Sequence, residues 1–217
     1  MAQVFTTSDY DTPLGKISVT PIAHGALYIA FDGKIIQVDP YSEIADYSNL
    51  PKADLILLTH DHYDHLDKPA IRKIVQCNTK FIGTKKAAEQ IPETKVLSNG
   101  EYMEWNGIKI AAVPAYNLKH GPEPGKLFHP KGDGNGYILN FADFRLYIAG
   151  DTELIPEMYD LGQIDVAFLP KNLPFTMDDD EFVEAAKVVN PKVLYPYHYS
   201  KVDKAALAEK LPGIEIK

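Results

Sequence analysis

Three imidazoles and two carboxylates fall within the six residues from His60 to His65, in the segment THDHYDHLD. Imidazole nitrogen and carboxylate oxygen are the donors that zinc and similar divalent ions accept. On extended backbone, residues two apart share a face, so His60 and His62 can reach one ion through ring nitrogens at about 2.0–2.1 Å. A bend after Tyr63 lets the consecutive Asp64 and His65 turn to a second ion close by. One isolated histidine is more often structural than a ligand, but this density and order predict a metal site.

The elements that position these groups are legible around them. The apolar run DLILLT (54–59) ends directly in the cluster, and three further runs end in ligand types: IKIAAVPAYN near Asn117, RLYIAGD at Asp151 and KVLYPYH at His198. Strand ends of α/β sheets commonly present sites. Asp151 also fits a turn, and His198 also fits an ordinary hydrogen-bonded histidine between two tyrosines. Further strands are expected over 17–22, 26–31, 34–39, 136–141 and 165–170, where Val, Ile, Tyr and Phe are bounded by Gly, Asn, Asp or Pro. FDGK (31–34) and ADFR (142–145) read as tight turns. Helices are expected over 67–76, with Asp67 as cap and Pro69 in the first turn, over 178–189, which opens on acids, and over the shorter 85–91 and 203–211. No repeat or linker is visible.

The long segment Ala115 to Asn135 has no periodic signal, and loops of that length are usually functional or mobile. It offers His120, His129, Lys119, Lys126 and Lys131 to a substrate or ion, although each equally suits a solvated surface loop. His24, in HGALYI, is either a group at the rim of the site or a hydrogen-bonded histidine at a strand start.

At 217 residues and 45% hydrophobic, the chain can bury a core, and one domain over 1–217 is the expectation. The formal charge of -8, with Arg72 and Arg145 the only arginines, argues against nucleic acid as the main partner. A lone Cys77 excludes a disulfide framework and a cysteine-based zinc cluster; it is expected to pack inside. No apolar run approaches the roughly 20 residues that span a bilayer, and the N-terminus shows neither a basic nor an apolar leader region. The chain is expected to be soluble, cytoplasmic by default, with a periplasmic or secreted location open where a leader has been removed. A homo-oligomer is compatible with the sequence.

Taken together, THDHYDHLD, GDT (150–152) and YPYHY (195–199) resemble the His-x-His-x-Asp-His signature, bridging aspartate and last histidine of the metallo-β-lactamase superfamily, in the expected order. HGALYI, IPEM (155–158) and PFTMDDDEF (174–182) are similar to its small UlaG-like branch, which includes L-ascorbate-6-phosphate lactonase and relatives of N-acyl-phosphatidylethanolamine phospholipase D. The resemblance implies an α/β fold, an αββα four-layer sandwich with one or two zinc or manganese ions at one edge. It implies that His60 and His62 hold the first ion, Asp64, His65 and His198 the second, and that Asp151 bridges them. The chain departs from the pattern at Asn117, where the family usually has a third histidine for the first ion. A neutral amide is the weaker ligand, so His120 or His129 are candidates to complete that site.

A divalent ion with an open position lowers the pKa of bound water from about 15.7 to near 7 and polarises the bond attacked. The reading is a metal-dependent hydrolase that uses such a hydroxide on a small ester, lactone or phosphodiester, with Asp64 as the catalytic carboxylate. Lys171, Tyr197 and Tyr199 are candidate substrate contacts; packing and solvent exposure are their plainer roles. No organic cofactor motif is present. The alternatives are a metal-binding protein of the same fold without turnover, and a phosphodiesterase acting on a phospholipid-like or nucleotide substrate.

Overall fold

Short β-rich runs joined by two-residue turns build the first part of the chain: β1 (Ser8–Thr12), β2 (Gly15–Ala23), β3 (Ala26–Phe31) and β4 (Lys34–Val38) form an antiparallel meander. The turn between β3 and β4 places Asp32 and Gly33 at φ 48° and 69°, the left-handed pair that matches strand twist in tight hairpins. From there the chain changes to parallel pairing, with β5 (Leu55–Leu57), β6 (Lys80–Gly83) and β7 (Thr94–Val96) added in order and α1 (Lys68–Ile74) and α2 (Lys85–Gln90) as crossovers. The computed structural model describes residues 3–217, which fall into two compact units, divided between Leu97 and Ser98.

The second unit repeats the same plan. β8 (Tyr102–Trp105), β9 (Ile108–Ala115), β10 (Gly134–Phe141) and β11 (Phe144–Ile148) are antiparallel, and β12 (Val166–Pro170), β13 (Val193–Tyr197) and β14 (Glu215–Ile216) follow in parallel. α3 (Asp179–Val189) and α4 (Lys204–Lys210) make the crossovers. Each unit is thus a seven-stranded mixed sheet with strands in sequence order.

This topology decides where side chains emerge. In the first sheet β2, β4 and β5 point the same way, so His24, Asp39 and the His60 segment leave the sheet at one edge. In the second, β9, β11, β12 and β13 share a direction, and Asn117, Asp151, Lys171 and His198 follow their ends. Each unit packs its own core: Ile56 and Leu58 under Ala70, Ile71 and Ile74 of α1 in the first, and Ala167, Leu169 and Leu194 under Phe182, Ala185, Ala186 and Val189 of α3 in the second. Both strand cores are buried throughout, as the all-apolar LIL and VLYPY require.

The four expected helices form, each opened by a side-chain cap, from Asp67, Thr84, Asp178 and Asp203. Cys77 corrects the sequence expectation: it is exposed, because the chain between α1 and β6 is a turn in which Gln76 N donates to Thr79 Oγ1 at 2.9 Å. Among the described residues no helix is long and apolar enough to cross a membrane.

Asp67 ties α1 to the loop after β4, accepting from Ala70 N at 3.5 Å and from Ser42 N at 2.6 Å. Asp67→Ala removes the cap and leaves the Ser42 amide short of its acceptor, so unfolding free energy in a denaturant titration should fall by about 1–3 kcal/mol. An unchanged midpoint would show that water replaces both bonds.

Candidate metal centre

In the first unit the donors are aimed by a buried carboxylate. Asp39, 0% exposed, accepts from Thr59 N at 2.8 Å and Thr59 Oγ1 at 2.5 Å, and lies 2.8 Å from His65 Nδ1. Thr59 Oγ1 lies 3.0 Å from His60 Nδ1. The far ring nitrogens of His60 and His65 are thereby fixed, which leaves each Nε2 as the donor end; metal-binding histidines are usually held this way. The ring centroids of His60 lie 4.1 Å from His65 and 4.5 Å from His62. The expected bend exists: His65 N and Leu66 N both donate to His62 O, at 3.0 and 2.8 Å. It brings Asp64 Oδ2 to 3.7 Å from His65 Nε2 and 2.8 Å from His24 Nε2.

Gly25, beside His24, admits this arrangement. A Cβ there would stand 2.7 Å from His65 Cε1 and 3.0 Å from Nδ1. Tyr41 closes the side of His24, with ring centroids 5.6 Å apart. Its hydroxyl donates to Glu43 Oε2 at 2.6 Å, and burial together with that carboxylate holds it well above the ordinary tyrosine range. Tyr41 therefore stays a neutral donor.

In the second unit, His129 Nε2 and His198 Nε2 lie 3.5 and 3.2 Å from the same oxygen, Asp151 Oδ2, and all three residues are buried. Asn117, the departure from the family pattern, serves this group indirectly. Its Oδ1 accepts from His129 N at 2.8 Å and lies 2.7 Å from His129 Nδ1, while its Nδ2 donates to Glu153 Oε1 and Phe175 O at 3.0 and 2.8 Å. Of the two candidate loop histidines, His129 reaches the aspartate. His120 instead sits with Nδ1 2.8 Å from Glu153 Oε1.

Within the second unit, His120, Glu153 and Glu181 also offer ligand atoms within 4.8 Å of one another. Glu153 already takes two donors on each oxygen: the Asn117 amide and His120 N on Oε1, Leu118 N and Lys119 N on Oε2, all between 2.8 and 3.0 Å. Burial opposes its ionisation, yet the His120 and Leu118 amides and the Asn117 side chain hold its carboxyl below the usual range. Glu153 is an anchor for the loop rather than a free ligand.

The remaining candidates have definite partners. Tyr197 is buried, its hydroxyl donating to Gly150 O at 3.1 Å, whereas Tyr199 is 39% exposed. Lys171 pairs with Asp179 at 2.6 Å, Lys119 with Glu181 at 3.4 Å, Lys131 with Glu157 at 2.7 Å, and Lys126 with Glu123. Sequence reasoning missed Asp39, Thr59 and Glu153, which carry no motif of their own. The signal available was position: Asp39 ends a strand parallel to the one that ends in His60, and Glu153 follows GDT.

The donor chemistry of both units fits divalent ions: imidazoles oriented from behind, and a buried carboxylate facing two of them. Comparison with known proteins agrees with this chemistry. A family model described as the Beta-lactamase superfamily domain matches residues 18–198. The chain belongs to the metallo-β-lactamase superfamily. Its fold is that of the superfamily, as the sequence implied. It is 32% identical over 187 residues to the UPF0173 metal-dependent hydrolase of Nanoarchaeum equitans, covering 82% of each chain. With the UPF0173 metal-dependent hydrolase of Pyrococcus horikoshii it shares 33% identity over 233 aligned positions, covering 93% of this chain and 99% of that one. A solved structure from Parabacteroides distasonis, described as a candidate metal-dependent hydrolase, is 44% identical and superposes with a TM-score of 0.92 over 99% of this chain and 98% of that chain.

Gly25→Ala tests the packing of the first unit. The added methyl must displace the His65 ring, so the variant should fold but gain less thermal stability from added Zn²⁺ than the parent does, since stabilisation follows affinity for the native state. An equal shift would mean that His65 moves aside without loss.

Proposed function

We propose that this protein is a metal-dependent hydrolase of a small ester or lactone, with His60, His62, Asp64 and His65 of the first unit and His129, Asp151 and His198 of the second as metal ligands. The observation that carries the reading is the approach of two buried imidazole nitrogens to one buried oxygen, Asp151 Oδ2, at 3.2 and 3.5 Å. Such a group is costly to bury without a cation to share it. The names of the UPF0173 relatives support hydrolysis, and the likeness to the UlaG-like branch supports a lactone.

A bound divalent ion supplies Lewis-acid activation of water and of the bond attacked. Imidazole-rich ligands suit zinc, and the added carboxylates admit manganese. The chain's own part falls first to Asp64. Its Oδ2 lies 2.8 Å from His24 Nε2, so the carboxylate is oriented, can accept a proton from attacking water, and can share it with the imidazole. His24 is thus a proton-handling partner of Asp64. Neutral Tyr41 keeps its proton on the Glu43 side and lies beside His24, with ring centroids 5.6 Å apart.

The lysine pairs bear on the substrate. Lys119, Lys126, Lys131 and Lys171 each face a carboxylate of their own unit, so none brings an uncompensated charge to a phosphate. This favours a neutral ester or lactone bond over a phosphodiester.

Protein purified without chelator should contain zinc or manganese by elemental analysis. Protein that stays metal-free and gains no thermal stability from either ion would sink the metal reading. In an assay with added Zn²⁺ or Mn²⁺ against lactones, esters and phosphodiesters, turnover should be confined to the first two classes. Asp64→Asn should lose about 10²–10⁴ of it, the range for a lost general base. A loaded protein inactive on all three would instead favour a metal-binding protein without turnover.

A further inference from the structure

Glu153 accepts four hydrogen bonds, and they lead towards His129. Three successive backbone amides, of Leu118, Lys119 and His120, donate to it at 2.9, 3.0 and 2.8 Å, and the fourth donor is the side-chain amide of Asn117 at 3.0 Å. Backbone N–H groups can only donate, so both oxygens of Glu153 act as acceptors towards this loop. The Asn117 side chain must therefore turn its NH₂ to Glu153, where the carbonyl of Phe175, another pure acceptor, holds it at 2.8 Å. Its carbonyl oxygen is left facing His129.

That oxygen, at 2.7 Å from His129 Nδ1, can only accept. The proton of a neutral His129 ring is then fixed on Nδ1, and the lone pair on Nε2. Nε2 is the atom 3.5 Å from Asp151 Oδ2. Backbone bonds keep the geometry: Asn117 N donates to His129 O at 2.8 Å, and His129 N donates back to Asn117 Oδ1 at 2.8 Å. Two positions 12 residues apart on a long loop are thus clamped together.

We propose that Glu153 is a positioning residue that sets the tautomer of His129 through Asn117, so that this imidazole presents a ready lone pair to a divalent ion beside Asp151. The part concerning the ion rests on the metal reading above; the tautomer does not. The chain explains why an amide occupies the position where the family usually has a histidine. Asn117 can relay the orientation of a carboxylate to a ring because one planar amide carries both a donor and an acceptor, which alanine lacks.

The test uses the full chain, stripped of metal and then titrated with Zn²⁺. Long-range ¹H–¹⁵N spectra of the metal-free protein should show His129 protonated on Nδ1. Asn117→Ala removes the relay but leaves three backbone amides on Glu153, and should mix the two tautomers and weaken Zn²⁺ binding by about 10–100-fold, the usual cost of losing a group that orients a ligand. Glu153→Gln should do the same; if it fails to fold, Glu153→Asp, which draws the carboxylate back from Asn117, takes its place. In a His129→Ala background, neither change should weaken binding further. An Nε2-protonated His129 in the parent, or an equal loss from Glu153→Gln with and without His129, would reduce Glu153 to a loop brace. A parent that binds no Zn²⁺ at all would remove the metal reading, and the spectra alone would then decide the tautomer.

Discussion

A carboxylate shut away from water has to be met by donors, and the cost of failing to do so is of the order of several kcal/mol. Asp39 and Glu153 are 0% exposed and Asp151 is 4% exposed. Asp39 and Glu153 draw their donors from segments that have no regular structure of their own. Asp39 takes the amide and hydroxyl of Thr59 and faces His65; Glu153 takes three loop amides and one side-chain amide. Satisfying the charge is therefore the same act as folding the loop, and the loops so folded carry the imidazoles. Orientation of the donors follows from solvation of the carboxylates and needs no separate device.

The backbone pays a matching cost at the strand ends. Among the described non-glycine residues, seven have positive φ. Asp32, Asn106 and Ala142 sit in hairpin turns, and Asn190 ends α3 in the left-handed form. The other three are His24, Asp39 and His198, each directly after a strand of the parallel-running set. Such conformations cost about 1–3 kcal/mol apiece outside glycine. They let a strand that has just left the core turn its next side chain sharply to the edge. The buried runs behind them, from Leu55 to Leu57 and from Val193 to Tyr197, hold the start of each turn in place.

How much of this the sequence discloses depends on whether the determinant is local. Apolar runs bounded by turn residues disclose most strands, and Asp67, Asp178 and Asp203 disclose helix starts, because capping is decided within four residues. The short or charged strands β1, β6, β7, β8 and β14 do not show, since pairing with a neighbour rather than their own pattern makes them strands. Cys77 misleads for the opposite reason: free cysteines are usually buried, but the turn at Gln76 to Thr79 overrides type. In the site, the dense His60 to His65 order is local and legible. Asp39, Thr59 and Glu153 act across 20 to 36 residues of sequence; the parallel pairing of β4 with β5 brings Asp39 to Thr59, and the shared direction of β9 and β11 on either side of β10 brings Asn117 to Glu153. Asn117 is legible as an anomaly, while its relation to His129 needs the loop to close.

The same separation bears on charge. The chain is acidic overall, yet its loop lysines do not stand free to attract an anion: Lys119, Lys126, Lys131 and Lys171 are spent on carboxylates nearby. Exposed pairs of this kind contribute little to stability, so their larger effect is to cancel fields at the surface. Imidazoles approach the buried carboxylates Asp39 and Asp151 with rings already oriented from behind. A divalent ion entering such a place would find its coordination largely prepared, and the native state would gain stability that grows with the logarithm of the free ion concentration once this exceeds Kd. Folding and ion binding would in that sense be coupled, because the carboxylates that close the loops, Asp39 and Glu153, also orient the imidazoles that a cation would use.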